Sequence, residues 1–161
     1  MDMTRKIFFL LILFASCGFA HAQKGLHVDV VFGDYGKQKG AVFIELAKDV
    51  LGRHSRINRY KSLTIPYDPE IIRTALNAIR TDMKNGEIMM ESQKDGITET
   101  GYYHLAKREN SEEEEYILFS AKSKKMILIY VRGAFPPSQL EKEIYKLQDL
   151  FIKVNNKRIK L

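Results

Sequence analysis

Cysteine, tryptophan and proline are scarce in this chain of 161 residues, which has one Cys, no Trp and four Pro. The one cysteine is Cys17, inside an apolar N-terminal segment, so everything after it is free of thiols. That excludes a disulfide scaffold, a thiolate metal site and a cysteine nucleophile together. Long hydrophobic runs are also missing. The longest, Ile7 to Ala20, falls short of the roughly 20 residues that a helix needs to cross a bilayer. With 45% hydrophobic and 29% charged residues and a formal charge of +6, the composition excludes a collagen-like repeat and a wholly disordered chain.

Arg5 and Lys6 precede the apolar run, and Ala20-His21-Ala22 follows it. A charged start, a short apolar core and an A-x-A site are the parts of a cleavable signal peptide. Residues 1–22 are therefore expected to be removed on export, leaving residues 23–161 as a single domain in the periplasm or outside the cell, with no membrane span. A second processing route competes. Phe14-Ala15-Ser16-Cys17 resembles a lipoprotein cleavage box, with Phe where Leu is usual, and cleavage there would anchor the protein through Cys17.

Along the remaining chain, Leu26, Val28, Val30 and Phe32 alternate with His27 and Asp29 and predict a strand over 26–32. The glycines at 33, 36 and 40 predict a hairpin loop to a second strand over 41–47. A phosphate-binding loop fails there, because Val31 and Gln38 stand where that motif needs Gly and Ser or Thr. Residues 48–54 fit either a strand or a helical turn, and Tyr60 to Ile65 reads as a strand.

Asp68-Pro69 predicts a helix start, since the carboxylate can cap free N–H groups and proline loses no bond at the first position. Ile72, Leu76, Ile79 and Met83 form its apolar stripe, with Arg73, Asn77, Arg80 and Lys84 turned outward and Asn85-Gly86 as the expected stop. Residues 87–94 are compatible with helix or edge strand. Residues 98–106, 116–121 and 126–132 read as successive antiparallel strands, the last apolar enough to be central. Ser138-x-x-Glu141 has the form of a capping box opening a second helix with the stripe Leu140, Ile144, Leu147, Phe151 and Val154. Glu141 and Glu143 suit its N-terminal dipole. The expected fold is α+β, an antiparallel sheet of five to six strands with two main helices packed on it.

Motifs for chemistry are sparse. No Gly-x-Ser-x-Gly elbow is present, and His27, His54 and His104 have no zinc-ligand spacing. His104, in the Tyr-rich segment Gly101-Tyr102-Tyr103-His104, reads as a partly exposed strand residue. Glu87, Glu91 and Asp95 would gather on one side of a helix, though charge at such spacing usually lines a solvated face. Glu112 to Glu115 reads as a hydrated connection. No catalytic, cofactor-binding or metal residue is assigned, and no cofactor is expected.

Basic residues are the most suggestive feature. Arg53, His54, Arg56, Arg59 and Lys61 cluster around Tyr60, and Lys153, Lys157, Arg158 and Lys160 crowd the C-terminus. Such clusters attract anions. Nucleic acid is not the expected partner of an exported protein, so Arg53, Arg56, Arg59 and Lys61 form a candidate contact for an anionic surface or an acidic envelope protein.

The order of signal segment, Gly25-Leu26, Tyr60-Lys61-Ser62-Leu63-Thr64 before the Asp68-Pro69 helix, and Met126 to Gly133 leading into the Ser138 helix resembles small exported proteins of unknown function from Gram-negative gut bacteria. The resemblance implies an envelope address and a compact α+β domain, and no catalytic residues. The leading functional expectation is a noncatalytic envelope domain that binds a protein or a surface. The alternatives are a small-molecule carrier with an apolar pocket near Tyr102, Tyr103, Tyr116 and Tyr130, and an enzyme with a scattered site.

Overall fold

The computed structural model describes residues 25–52 and 55–155, with side chains through Leu147. The signal segment, Cys17, Arg53, His54, the side chains of Phe151, Lys153 and Val154, and the basic tail lie outside the described residues. In chain order the elements are α1 (His27–Tyr35), β1 (Val42–Ala47), α2 (Lys48–Leu51), β2 (Ile57–Pro66), α3 (Pro69–Asp82), β3 (Glu87–Lys94), β4 (Ile97–His104), β5 (Glu114–Lys122), β6 (Lys125–Gly133), a 3-10 turn (Pro137–Gln139) and α4 (Leu140–Asn155).

The six strands form one antiparallel sheet in the order β1-β2-β6-β5-β4-β3. Strand alternation divides the apolar residues of β2, β5 and β6 between two faces. Leu63, Ile65, Ile117, Phe119, Met126 and Leu128 meet Val28, Val31 and Phe32 of α1 and Ile72, Leu76 and Ile79 of α3. Tyr60, Tyr116 and Val131 meet Leu51 of α2 and Leu140 and Leu147 of α4. The chain is thus α+β, with a helical layer on each face of the sheet and β6 fully inside it.

The first element differs from its predicted form. Residues 27–35 are helical, and the buried residues Val28, Val31 and Phe32 follow i, i+3, i+4 spacing, while Val30 is 60% exposed. A seven-residue apolar pattern satisfies both periods, and the deciding partner is distant. Asp82, at the end of α3, accepts from the backbone N–H groups of His27 and Val28 at 2.8 and 2.9 Å and contacts His27 Nδ1 at 2.9 Å. It supplies the N-terminal cap that Leu26 cannot. The glycines 33–40 consequently join a helix to a strand, and β1 pairs with β2 rather than with residues 26–32.

At α3 the sequence pattern holds. Asp68 accepts from Glu70 and Ile71 N–H at 2.9 and 3.2 Å, and Ile72, Ala75, Leu76 and Ile79 are buried. The helix ends at Asp82, before the expected Asn85-Gly86 stop, and Asn85 takes a left-handed φ of 66° in the turn that follows. Residues 87–94 form an edge strand. The Ser138 capping box is not made, because Pro136-Pro137 leads into a 3-10 turn that contains Ser138, with no side-chain cap.

Two hairpins are closed by two-residue turns with positive φ at both positions: Asp95-Gly96 (52° and 77°) between β3 and β4, and Ser123-Lys124 (55° and 63°) between β5 and β6. Such turns match the twist of the strands and favour Gly at the second place. Lys124 carries a Cβ there. Lys124→Gly is expected to stabilise the fold by about 0.5–1 kcal/mol, read as a raised denaturation midpoint, with no gain for Gly at the exposed, helical Arg73.

Leu76→Ala and Leu147→Ala, one on each side of the sheet, should each cost about 2–5 kcal/mol in chemical denaturation. Arg73→Ala should cost a small fraction of that. Equal midpoints for the three would place the wrong helix faces against the sheet.

Candidate binding cleft

The predicted basic cluster is largely neutralised within the fold. Arg59 Nη2 lies 3.0 Å from Glu45, and Lys61 Nζ lies 2.7 Å from Asp29 and 3.8 Å from Glu45, above the Phe32 ring. Lys61 is only 8% exposed, because its strand position points beneath α1. Arg56 approaches Glu143 instead, with Nε 3.4 Å from the carboxylate and its backbone N–H donating at 2.9 Å. The structure therefore does not bring Arg56, Arg59 and Lys61 onto one free cationic surface. Arg53 lies outside the described residues.

Glu143, read from the sequence as matching the N-terminal dipole of the second helix, is 1% exposed. Burial alone would raise its pKa. The Lys146 ammonium at 2.7 Å, the Arg56 N–H and the Ser55 hydroxyl at 3.0 Å outweigh that and hold the carboxyl at about 2. The acidic run also differs from a hydrated connection. Glu113 pairs with Arg132 at 2.9 Å, Glu114 with His104 at 2.8 Å and Lys107 at 3.0 Å, and the buried Glu115 accepts from Tyr130 at 2.6 Å and Arg108 at 3.0 Å. Partners up to 19 residues away in the chain convert repulsion into ion pairs. His104 is accordingly a structural strand residue, stacked on Tyr116 with ring centroids 5.1 Å apart.

The four tyrosines do not line one pocket. Tyr103 and Tyr130 are buried on the α1–α3 side of the sheet, Tyr116 is buried on the α4 side, and Tyr102 is partly buried. Nor do Glu87, Glu91 and Asp95 converge, since they lie on a strand and its turn rather than on a helix. Among the described residues no group of three or more His, Cys, Asp or Glu is placed to hold a metal ion.

Concavity occurs instead between α3 and the tip of the β3–β4 hairpin. Two adjoining hollows of about 270 and 320 Å³ share Tyr67, Ile97 and Thr98. Ile72, Leu76, Arg73 and Arg80 of α3 line the first, and Lys94, Asp95 and Glu99 line the second. Tyr67 is 48% exposed and Ile97 54% exposed. Local structure fixes both walls. Tyr67 N–H donates to Lys124 O at 2.9 Å, tying the end of β2 to the β5–β6 turn, and Asp95-Gly96 sets the reach of the hairpin.

One wall is braced by a polar knot. Glu91 accepts from Gln93 at 2.8 Å, from Tyr103 at 2.8 Å and from Thr98 at 3.2 Å. The Gln93 amide, the Tyr103 and Thr98 hydroxyls and the charge of Arg80 keep this carboxyl below its ordinary range against the effect of burial. Burial, the Glu91 acceptor and its charge push the Tyr103 hydroxyl upward. Gly101, opposite Glu91, makes the contact possible, because a Cβ there would collide with the Tyr103 hydroxyl that passes over it. Arg73 and Arg80, two turns apart on α3, make no ion pair within 4 Å among the described residues, and only Arg80 senses Glu91 at longer range.

A six-stranded antiparallel sheet between two helical layers, with an open cleft beside one helix, defines an α+β protein. The chain belongs to DUF6108, a family of unknown function, whose sequence profile matches residues 15–144. No curated protein matches it. Among solved structures, a crystal structure of a Pseudomonas aeruginosa protein of unknown function, described as a candidate regulator, is similar at 8% identity with a TM-score of 0.33, over 78% of this chain and 88% of that one. A likeness at that level carries no argument. No helix among the described residues is long and apolar enough to cross a membrane.

The Glu143 site has a defined acid response. Its folded-state pKa of about 2 lies below the ordinary value of 4.5. Its contribution is therefore full above the ordinary value and is lost as pH falls through the folded one. The difference corresponds to roughly 3 kcal/mol. Glu143→Gln should lower stability at pH 7 and flatten the loss of stability between about pH 4.5 and 2 in denaturation midpoints. A variant with the wild-type slope would remove Glu143 as the titrating group.

Proposed function

We propose that this protein is a noncatalytic binding module that works after export, in the cell envelope or outside it, and engages a protein partner through the cleft between α3 and the β3–β4 hairpin. Export rests on Arg5-Lys6, the apolar run and Ala20-His21-Ala22. The observation that carries the binding reading is the cleft itself, in which half-exposed Tyr67 and Ile97 flank a hollow walled by Arg73 and Arg80, which have no ion-pair partner among the described residues. Exposed apolar side chains gathered around a concavity mark contact surfaces, whereas single ones scattered over a surface do not. The cleft supports this role better than the cluster at Arg53, Arg56, Arg59 and Lys61, because carboxylates already satisfy the three described members.

The test uses tagged protein, cross-linked in its own cells and recovered with its partner. Ile97→Asp should reduce the recovered partner at least about fivefold, since a charge in the contact centre costs more than 1 kcal/mol. Ile88→Asp, equally exposed on the edge strand at 59%, should leave recovery unchanged. Loss on Arg56→Ala with Arg59→Ala, and none on Ile97→Asp, would move the contact to the basic cluster.

A further inference from the structure

Arg73 and Arg80 are seven positions apart on one helix face, and the lining of the hollow between them is apolar, with Asn77 directed away from it. At 1.5 Å per residue their Cα atoms stand about 10 Å apart along the axis. Leu76 lies between them along the helix, Ile72 sits beside Arg73, and both line the hollow together with Ile97 of the hairpin. Among the described residues, Arg73 and Arg80 are the only charged ones that line this helix-side hollow. Of the acidic groups nearby, Glu70 is one turn before Arg73 on α3 but outside the lining, Glu91 is engaged by three donors, Glu99 has Lys122 at 3.7 Å, and Asp95 sits beside Lys94 in the second hollow. The helix side is thus cationic and the hairpin tip mixed.

Guanidinium groups bind carboxylates bidentately, with planar geometry as well as charge. A single anionic head group would meet one arginine well and leave the other about 10 Å of helix away. An extended peptide suits both, because in a polyproline II conformation residues three apart project on the same side and lie about 9 Å apart. We propose that the cleft accepts an extended acidic segment of the partner protein, with two carboxylates three residues apart on Arg73 and Arg80 and an intervening apolar side chain on Ile72, Leu76 and Ile97. This rests on the binding-module reading and specifies its ligand. The hollow of about 270 Å³ has room for one such apolar side chain and adjoining backbone.

The experiment selects random phage-displayed octapeptides on the purified protein and measures the enriched sequences by fluorescence anisotropy. Enrichment of peptides with two acidic residues three positions apart around an apolar residue is the expected result. Arg73→Gln and Arg80→Gln should each weaken their binding about tenfold or more, as expected for loss of a charge-assisted pair. Moving the second acid to the adjacent position should weaken it comparably, and added salt should weaken it further. Unchanged thermal midpoints for both variants separate lost contact from lost folding. Enriched peptides that are uncharged, yet sensitive to Ile97→Asp, would overturn the acidic segment while leaving the cleft as the binding site. No enrichment, with partner recovery in cells still dependent on Ile97, would overturn a linear peptide and again spare the cleft. Decanoate displacing the peptides with stronger dependence on the same two arginines would overturn the peptide in favour of a small amphiphile. No enrichment together with partner recovery indifferent to Ile97 would overturn both readings.

Discussion

Burial of β6 on both faces is the constraint on which the other elements depend. Met126, Leu128 and Tyr130 point one way and Val131 the other, so neither side of the sheet can be left to water. At about 25 cal/mol per Å² of apolar surface, an uncovered face would forfeit most of the driving force for folding. The N-terminal half of the fold covers one face with α1 and α3, and the C-terminal helix α4 covers the other. The strand order fits the same need: β2 and β5 flank β6 and carry the residues buried on both faces, and the polar β3 lies at an edge.

Charged groups drawn into this arrangement are satisfied almost one by one. Lys61 beneath α1 has Asp29, Glu115 beneath the sheet crossing has Tyr130 and Arg108, and Glu143 on α4 has Lys146, Arg56 and Ser55. Removing one partner from such a set leaves a buried charge without compensation and costs more than the pair contributes. These networks tie segments far apart in sequence, as Glu143 does with residues 55 and 56. They fix the placement of the helical layers as much as apolar packing does.

How much of this was legible depended on whether the deciding contact was local. The Asp68-Pro69 helix carries its own cap and stripe, and the strands 116–121 and 126–132 carry their own alternation, so sequence reading and structure agree on them. Residues 26–32 contain too few apolar positions to separate a period of 2 from one of 3.6, and Asp82 decides in favour of helix. Residues 87–94 lacked a pattern because an edge strand buries little, although Asp95-Gly96, a dipeptide suited to a two-residue hairpin turn, was available as a signal. The acidic run looked hydrated, and Glu143 looked like a match for the helix dipole alone, because their partners come from other segments of the fold. The cluster at Arg56, Arg59 and Lys61 looked like free charge for the same reason: the carboxylates that take it up, Glu143, Glu45 and Asp29, come from other elements of the fold.

The cleft combines both situations. Arg73 and Arg80 were legible as outward residues of α3, but the hairpin that turns their face into a wall arrives later in the chain. The contrast between these arginines and the basic residues of β2 then bears on function. Lys61 acts inside the fold, where Asp29 takes up its charge, so replacing it would disturb stability before any contact, and the partly exposed Arg59 already has Glu45 beside it. Arg73 and Arg80 make no ion pair among the described residues and stand beside exposed Tyr67 and Ile97, so their charge remains available to an anion that enters the cleft. Folding does not require that combination. A helix surface facing only water could carry lysine or glutamine at both positions with little change in stability, whereas planar, two-point recognition of carboxylates depends on arginine.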